Sequence, residues 1–259
     1  VRDAVEWNSE QYLRFERERT QPAVDLARRV PVEGIARVLD VGCGPGNSSA
    51  VLARRFSGAH ILGVDSSPAM IESARAAHPD IEFALCDAAR ELATLPGGFD
   101  LVFSNACLQW VPDHKTLLRN LFGRLRPGGT LAVQIPMNQR EPIHKIIGEL
   151  VTSDAWRDAF PHPRIFYTMP QDWYFDQLAK LASSFTLWET TYYHVLPSHE
   201  AILDWYRGTG LRPYLAVLSD ARKKDFEHDV LTRVTAQYPL QENAQIIFRF
   251  PRFFFTAIN

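Results

Sequence analysis

The sequence predicts an α/β protein built on a parallel sheet, and three observations carry that expectation. An apolar strand runs straight into glycines at alternate positions in VLDVGCGPGNSS. Two later apolar runs, HILGVD and IEFALCD, end in an acidic residue, as the first does at Asp40. Each run of strand character is followed by a run of helical character, the alternation that yields parallel strands with right-handed crossovers.

The first strand ends at Asp40, and Gly42, Gly44 and Gly46 follow it. A chain that leaves a strand for a helix within a few residues needs positive φ angles, which glycine supplies at low cost. The missing side chains also admit a ligand close to the backbone. Asn47 or Ser48 then opens a helix whose free N–H groups face that ligand. The dinucleotide pattern G-x-G-x-x-G requires glycine where Asn47 stands, and a phosphate-binding loop requires a lysine that is absent here. The second strand, HILGVD, ends at Asp65 and leads into a helix with Ser67 as N-cap and Pro68 in its first turn. Asp65 comes 19 residues after Gly46 (65 − 46), close to the roughly 20-residue offset of a carboxylate that binds a ribose diol. IEFALCDAAR predicts a third strand ending at Asp87, 22 residues beyond Asp65 (87 − 65). FDLVFSNACLQW holds the fourth strand, from Phe99 to Trp110, and residues 130 to 135 the fifth, after a turn at Pro127, Gly128 and Gly129. Between them an amphipathic helix is expected over 117 to 125, with Asp113 as N-cap. Ligands on such sheets bind beyond the carboxyl ends of the strands, where Gly42, Asp65, Asp87 and Asn105 all fall.

The 259 residues carry a net charge of −2, so nothing points to non-specific nucleic-acid binding. No apolar run approaches the roughly 18 residues that span a bilayer. The charged stretch VRDAVEWNSEQYLRFERERT does not read as a secretory leader, and a soluble cytoplasmic enzyme is expected. Cys43, Cys86 and Cys107 are widely spaced, which gives neither a disulfide framework nor a metal site; they read as small buried residues. Residues 1–36 are expected to form N-terminal cap helices, with a break or restart at Thr20 and Pro22. Residues 37–136 form the ligand-binding core, and 137–183 a helical substrate segment interrupted by AFPHPRIFYTMPQDWYF. Residues 184–259 hold the last two strands, SFTLWETTYYHV and IIFRFPRFFFTAI, around a helical insertion from 199 to 238, all within the same compact domain. That insertion is larger than a hairpin requires and is expected to serve as a lid.

The pattern D-x-G-x-G-x-G from Asp40 to Gly46 resembles the glycine loop of class I S-adenosylmethionine (SAM) methyltransferases. The chain further resembles the trans-aconitate 2-methyltransferase family over nearly its full length. The likeness lies in QYLRFERERTQPA, LDVGCGPGNSS, NACLQWVPDH, LAVQIPMN, WETTYYH, GTGLRPYL and QYPLQENAQIIFRFPRFF. LQWVPD, TGLRPYL and FPRFF lie outside the cofactor motifs and carry the specific part of it. Gln21 departs from the family, which often has a basic residue there, so no charge contact is expected at that position.

The resemblance implies a Rossmann-like fold with a mostly parallel seven-stranded sheet, an antiparallel last strand beside the sixth, and helical lid insertions. It implies SAM as cofactor, its methionine end wrapped by the loop of Asp40, Gly42, Gly44 and Gly46 and met by Asn105. Asp87 would accept from the adenine amine, with Ser66 and Ala88 next to the two acidic strand tips. Arg19 would pair either with the cofactor's carboxylate or with substrate. The implied reaction moves a methyl group to a carboxylate of trans-aconitate, giving a monomethyl ester and S-adenosylhomocysteine. A carboxylate with a pKa near 4 is ionised at neutral pH, so no general base is needed and no catalytic side chain is assigned. Positioning then does the work, with the oxygen about 3 to 3.5 Å from the methyl carbon. The remaining carboxylates call for arginine. Arg212 in GTGLRPYL is one candidate. Arg249 and Arg252, three apart on a strand, fall on opposite faces, and Arg252 is favoured. Tyr12, Trp110 and His144 complete the expected substrate site, with Trp7, Tyr192 and Tyr193 as further aromatic walls. The partner expected is a small tricarboxylate, with no nucleic acid, membrane or metal. Alternatives are SAM-dependent methylation of another carboxylic acid, a phenol or an amine, although the D/N-P-P-Y motif of many nitrogen methyltransferases is absent after Asn105. An NAD oxidoreductase is disfavoured by Asn47 and Asp87, and a noncatalytic SAM-binding module by the neutral charge and the aromatic-rich insertions.

Overall fold

The computed structural model describes residues 16 to 259. Seven strands form one sheet in the order β3-β2-β1-β4-β5-β7-β6. Strands β1 (Arg37–Val41), β2 (His60–Asp65), β3 (Glu82–Leu85), β4 (Phe99–Asn105) and β5 (Leu125–Pro136) run parallel to one another. Strand β7 (Ile246–Ile258) runs antiparallel to β5, with Thr130 opposite Ile258 and Pro136 opposite Arg252. It lies between β5 and β6 (Ser184–Leu196), so the mixed Rossmann-like sheet is the one implied by the sequence resemblance.

The chain divides into two units. The sheet unit comprises residues 19–136, 166–190 and 252–259; the helical unit comprises 137–165 and 191–251, with the described residues up to Glu18. In the sheet unit the parallel strands are apolar on both faces, as strands covered by helices on either side must be. Leu39, Leu101, Phe103, Leu131 and Val133 are fully buried. Helices α1 (Glu16–Arg28), α2 (Asn47–Arg55), α3 (Pro68–Ala77), α4 (His114–Phe122) and α6 (Gln171–Leu181) lie in this unit, α1 from its fourth residue onward. Asp100 receives the N–H groups of Ala36 (2.9 Å) and Arg37 (2.8 Å) and pairs with Arg126, tying β1, β4 and β5 at their amino ends. A second link, buried at the other side of α4, joins His114 to Tyr174 of α6: Tyr174 Oη meets Nδ1 at 2.6 Å, and Nε2 meets the Leu108 carbonyl at 2.8 Å.

The helical unit packs α5 (Pro142–Thr152), α7 (His199–Arg207), the short α8 (Arg212–Leu215) and α9 (Asp220–Gln237) around aromatic rings. Phe226 is fully buried, 4.8 Å from the Trp156 ring and 5.1 Å from Phe160. Trp156 donates from Nε1 to Asp229 at 2.8 Å, and the Tyr238 hydroxyl accepts the Ile143 N–H at 3.1 Å. No described helix is long and apolar enough to cross a membrane.

Several boundaries differ from the expected ones. Helix α1 continues through Thr20 and Pro22 without a break. Burial of Ala23, Leu26 and Ala27 along one face outweighs the roughly 3 kcal/mol that an interior proline costs. Helix α4 starts directly after Asp113, which caps it by accepting the Thr116 N–H at 3.0 Å. Strand β3 ends at Leu85, which leaves Asp87 in the following loop. Strand β4 ends at Asn105, and Leu108–Trp110 is a separate 3-10 turn. The turn at Pro127 to Gly129 is absorbed into β5, where the register against β4 shifts between Phe99 and Leu101.

Candidate functional site

The glycine loop is anchored to β2 at its start: the N–H groups of Gly42 (2.8 Å) and Cys43 (3.0 Å) both reach the Val64 carbonyl. Gly42 has φ +75°, and a Cβ built there would lie 2.3 Å from both Cβ and Sγ of Cys107, so no side chain is admissible. Gly44 also has positive φ, but a Cβ there would meet nothing within 4 Å, so this backbone borders open space. Helix α2 begins at Asn47 with Gly46, not a polar side chain, at the cap. The serines that follow turn inward instead. Ser48 and Ser49 donate from Oγ to Asp40 Oδ2 at 2.7 and 2.6 Å. Asp40 is wholly buried, and its Oδ1 has no partner among the described residues. Burial pushes its carboxyl up to about 6, against the pull of those two hydroxyls. Asp40 therefore braces the loop from behind.

Asp65 stands at the tip of β2, half-buried, and is raised by desolvation against three backbone N–H groups. It accepts from Gly44 N at 3.0 Å and from Ser67 N at 2.9 Å, which couples the second strand tip to the glycine loop. Ser66 beside it is exposed. Asp87 caps the turn after β3, taking the Ala89 N–H at 2.9 Å, while its own N–H goes to Glu91 at 2.8 Å; Ala88 is half-buried.

At the carboxyl ends of β4 and β5 the sheet unit collects polar groups. Asn105 is the last residue of β4 and lies in register with Gln134 of β5. The next residue, Ala106, has φ +55°, a left-handed conformation that costs a residue with a Cβ about 1–2 kcal/mol. Two glutamines hold it: its N–H bonds the Gln134 carbonyl at 3.0 Å, and its carbonyl accepts from Gln109 Nε2 at 2.6 Å. Asn105 Oδ1, Gln109 Oε1 and Gln134 Nε2 are buried with no partner among the described residues. Arg252 of β7, 6 % exposed, donates from Nη1 to Gln134 Oε1 at 3.4 Å. Trp110 is exposed and meets the Phe166 ring at 4.8 Å. The sequence reading did not single out Gln109 or Gln134. A lone amide inside the otherwise apolar LAVQIP is the signal that marks Gln134.

In the helical unit, Arg212 opens α8 half-buried, and desolvation lowers its pKa. Desolvation first, and the like charge of Arg212, push the Arg164 guanidinium down to about 10 against the pull of Tyr214. The Arg164 N–H bonds the Tyr214 hydroxyl at 3.2 Å. His144 on α5 meets Tyr206 edge-on at 5.5 Å, and burial pushes its imidazole down to about 4, so it is neutral at pH 7. Arg249 is exposed and lies 3.7 Å from Glu141, whereas Arg252 three residues on is buried. Arg19 lies on α1, but its side chain, like Trp7 and Tyr12, is outside the described residues.

The groups gathered around the loop suit a cation better than a phosphate. Residues 40 to 49 contain no lysine or arginine, while Asp65, Asp87 and the Asn105 carbonyl oxygen offer acceptors at the strand ends. A sulfonium nucleoside with a ribose diol matches that acceptor-rich edge and the open face at Gly44; a pyrophosphate would meet repulsion. Among the described residues no cluster of His, Cys, Asp and Glu is arranged to hold a metal ion.

Comparison with known proteins agrees with this chemistry. A family described as a methyltransferase domain matches residues 38–129. Trans-aconitate 2-methyltransferases of Escherichia coli and Shigella flexneri are each 44% identical over 252 residues, spanning 97% of this chain and 98% of the relative. Among solved structures, the YcgJ protein of Bacillus subtilis aligns with TM-score 0.59 at 14% identity, covering 92% of this chain and 98% of its own. A phosphoethanolamine N-methyltransferase of Haemonchus contortus aligns with TM-score 0.55 at 19% identity over 92% of this chain and 52% of its own. These two share the fold.

Proposed function

Because the chain belongs to the class I SAM-dependent methyltransferases, we propose that it methylates a carboxylate of trans-aconitate, releasing a monomethyl ester and S-adenosylhomocysteine. The observation that carries this reading is the near-full-length likeness to trans-aconitate 2-methyltransferases. It takes in LQWVPD, TGLRPYL and FPRFF, which lie outside the cofactor loop.

Bound SAM supplies an electrophilic methyl group on a sulfonium sulfur. The backbone from Gly42 to Gly46 would hold its methionine end, Asp65 would accept from the ribose hydroxyls, and Asp87 would receive the adenine amine. Asn105 Oδ1, buried without a partner among the described residues, would accept from the cofactor's amino-acid end. An ionised carboxylate needs no base, which fits a strand-end cluster whose unpartnered groups are amides rather than acids or imidazoles. Arg252, buried beside Gln134, supplies the charge that orients a substrate carboxylate. Arg212 is the second proposed carboxylate ligand. His144, neutral at pH 7, contributes at most a hydrogen bond and no ion pair.

The direct test is incubation with methyl-labelled SAM and a panel of di- and tricarboxylic acids, a phenol and an amine. Base-labile label in trans-aconitate is expected. Label confined to the phenol or the amine would defeat the carboxylate reading. Arg252→Ala and Arg212→Ala should each raise KM for the acid by about tenfold while SAM affinity, read by calorimetry, stays unchanged; wild-type kinetics in either removes that arginine from the site.

A further inference from the structure

Gln134 sits two residues before the carboxyl end of β5, fully buried, in register with Asn105 of β4 and Phe254 of β7. Residues in register on neighbouring strands project to the same face, so the two amides lie side by side. The Oε1 of Gln134 accepts from Arg252 Nη1 at 3.4 Å, and this contact fixes which end of the amide is oxygen. Its Nε2, with two N–H donors, has no partner among the described residues. Buried donors in folded proteins are nearly always satisfied, so one left over marks a group that a ligand or water fills.

Arg252 lies two register positions closer to the carboxyl end of β5, opposite Pro136 and so on the same face as Gln134. Since Gln134 is neutral, its contact orients the guanidinium without subtracting from its charge. A glutamate at the same place would pair with Arg252 and screen it. The main chain of Gln134 is itself fixed, because its carbonyl takes the N–H of the strained Ala106. A donor held this firmly can act directionally.

We propose that Gln134 is a specificity-determining residue that joins Arg252 in a two-pronged donor for one carboxylate. The guanidinium supplies the charge and Nε2 a directed N–H. Such a pair selects a planar anion: a phenol satisfies one donor and an ammonium group satisfies neither. This inference rests on the carboxylate reading above and adds a residue to it. The pair is assigned to the acid substrate's carboxylate, and the variants below separate that from the carboxylate at the methionine end of the cofactor.

Two variants test this. Gln134→Met keeps the volume and removes the donor; Gln134→Glu keeps the shape and screens Arg252. KM for trans-aconitate should rise about tenfold in the first and about a hundredfold in the second. The kcat at saturation and the SAM affinity by calorimetry should stay close to wild type, in samples whose Tm shows them folded. Should Gln134→Met fail to fold, Gln134→Asn, which withdraws the amide by one methylene, is expected to raise KM in the same direction. Unchanged KM in the folded variants overturns the proposal. Lost SAM affinity with unchanged KM gives the carboxylate to the cofactor and overturns it equally. Wild-type enzyme that neither binds nor methylates any polycarboxylate defeats the underlying substrate reading instead, a result visible before any variant is made.

Discussion

The sheet unit and the helical unit bury polar groups in opposite ways. In the sheet unit a carboxylate, Asp40, is sealed completely behind a loop and held by two serine hydroxyls. Near the ends of β4 and β5, amide groups of Asn105, Gln109 and Gln134 keep atoms with no partner among the described residues. The helical unit is filled by rings, and its buried polar atoms at Trp156 and Tyr238 are matched one to one with Asp229 and the Ile143 N–H. The Trp156 and Tyr238 pairs belong to a packing core, whereas the amides near the ends of β4 and β5 keep atoms that a ligand could satisfy. The contrast separates stability from binding, and it can be tested residue by residue.

The largest effect is expected from Phe226→Ala. Truncating a fully buried ring should cost about 3–5 kcal/mol of stability, read by denaturant unfolding, while SAM affinity of the folded protein persists. Loss of SAM binding without loss of stability would erase the distinction between the units. The next test uses pH. Burial holds His144 at about 4 against an ordinary 6.5, so the unfolded chain takes up its proton first as pH falls below 6.5. The helical unit should lose up to about 3 kcal/mol between pH 6.5 and 4. Asp40 is held at about 6 against 3.8, so its contribution has the opposite sign: present below 3.8, it is lost as pH rises through 6. Hydrogen exchange resolved by segment should show His144→Phe flattening the acid limb and Asp40→Asn lowering the cost at pH 7. Two variants with the same pH profile as wild type would refute both assignments.

Gly42→Ala should come third, weakening SAM about a hundredfold, near 2.7 kcal/mol, because its Cβ would overlap Cys107 at 2.3 Å. Cys107→Ala should not rescue it, since the overlapping Cβ remains. The smallest effect is expected from Asp65→Ala, about tenfold in SAM affinity by calorimetry. An unchanged affinity would leave Asp65 as a structural acceptor for Gly44 and Ser67 only.

The same division explains what was legible in the sequence. Cradling a ligand with bare backbone demands glycine at fixed spacing, and strand tips must carry acceptors at fixed offsets. The Asp40 to Gly46 loop and Asp65 therefore stand out in the chain itself. The seventh strand was equally plain, from Ile246 to Ile258, as an apolar run. Pro22 misled because local propensity says nothing of the buried face that carries α1 through it. The helical unit offered no spacing rule: any large ring can fill a core, so the sequence cannot say that Phe226 meets Trp156. Gln109 and Gln134 were passed over because they carry no charge and, unlike Asn105, belong to none of the motifs that mark the cofactor loop. Their importance lies in what they leave unbonded, which only packing reveals.

The contact between Gly42 and Cys107 has a consequence for how this protein can change over generations. The two positions lie far apart in the chain yet share one small volume. A larger residue at 107 would close the space that the bare loop leaves, and any side chain at 42 would do the same from the other direction. Growth at either site is therefore closed off by the other, so a lineage exploring new acceptor molecules must find its variation at other positions.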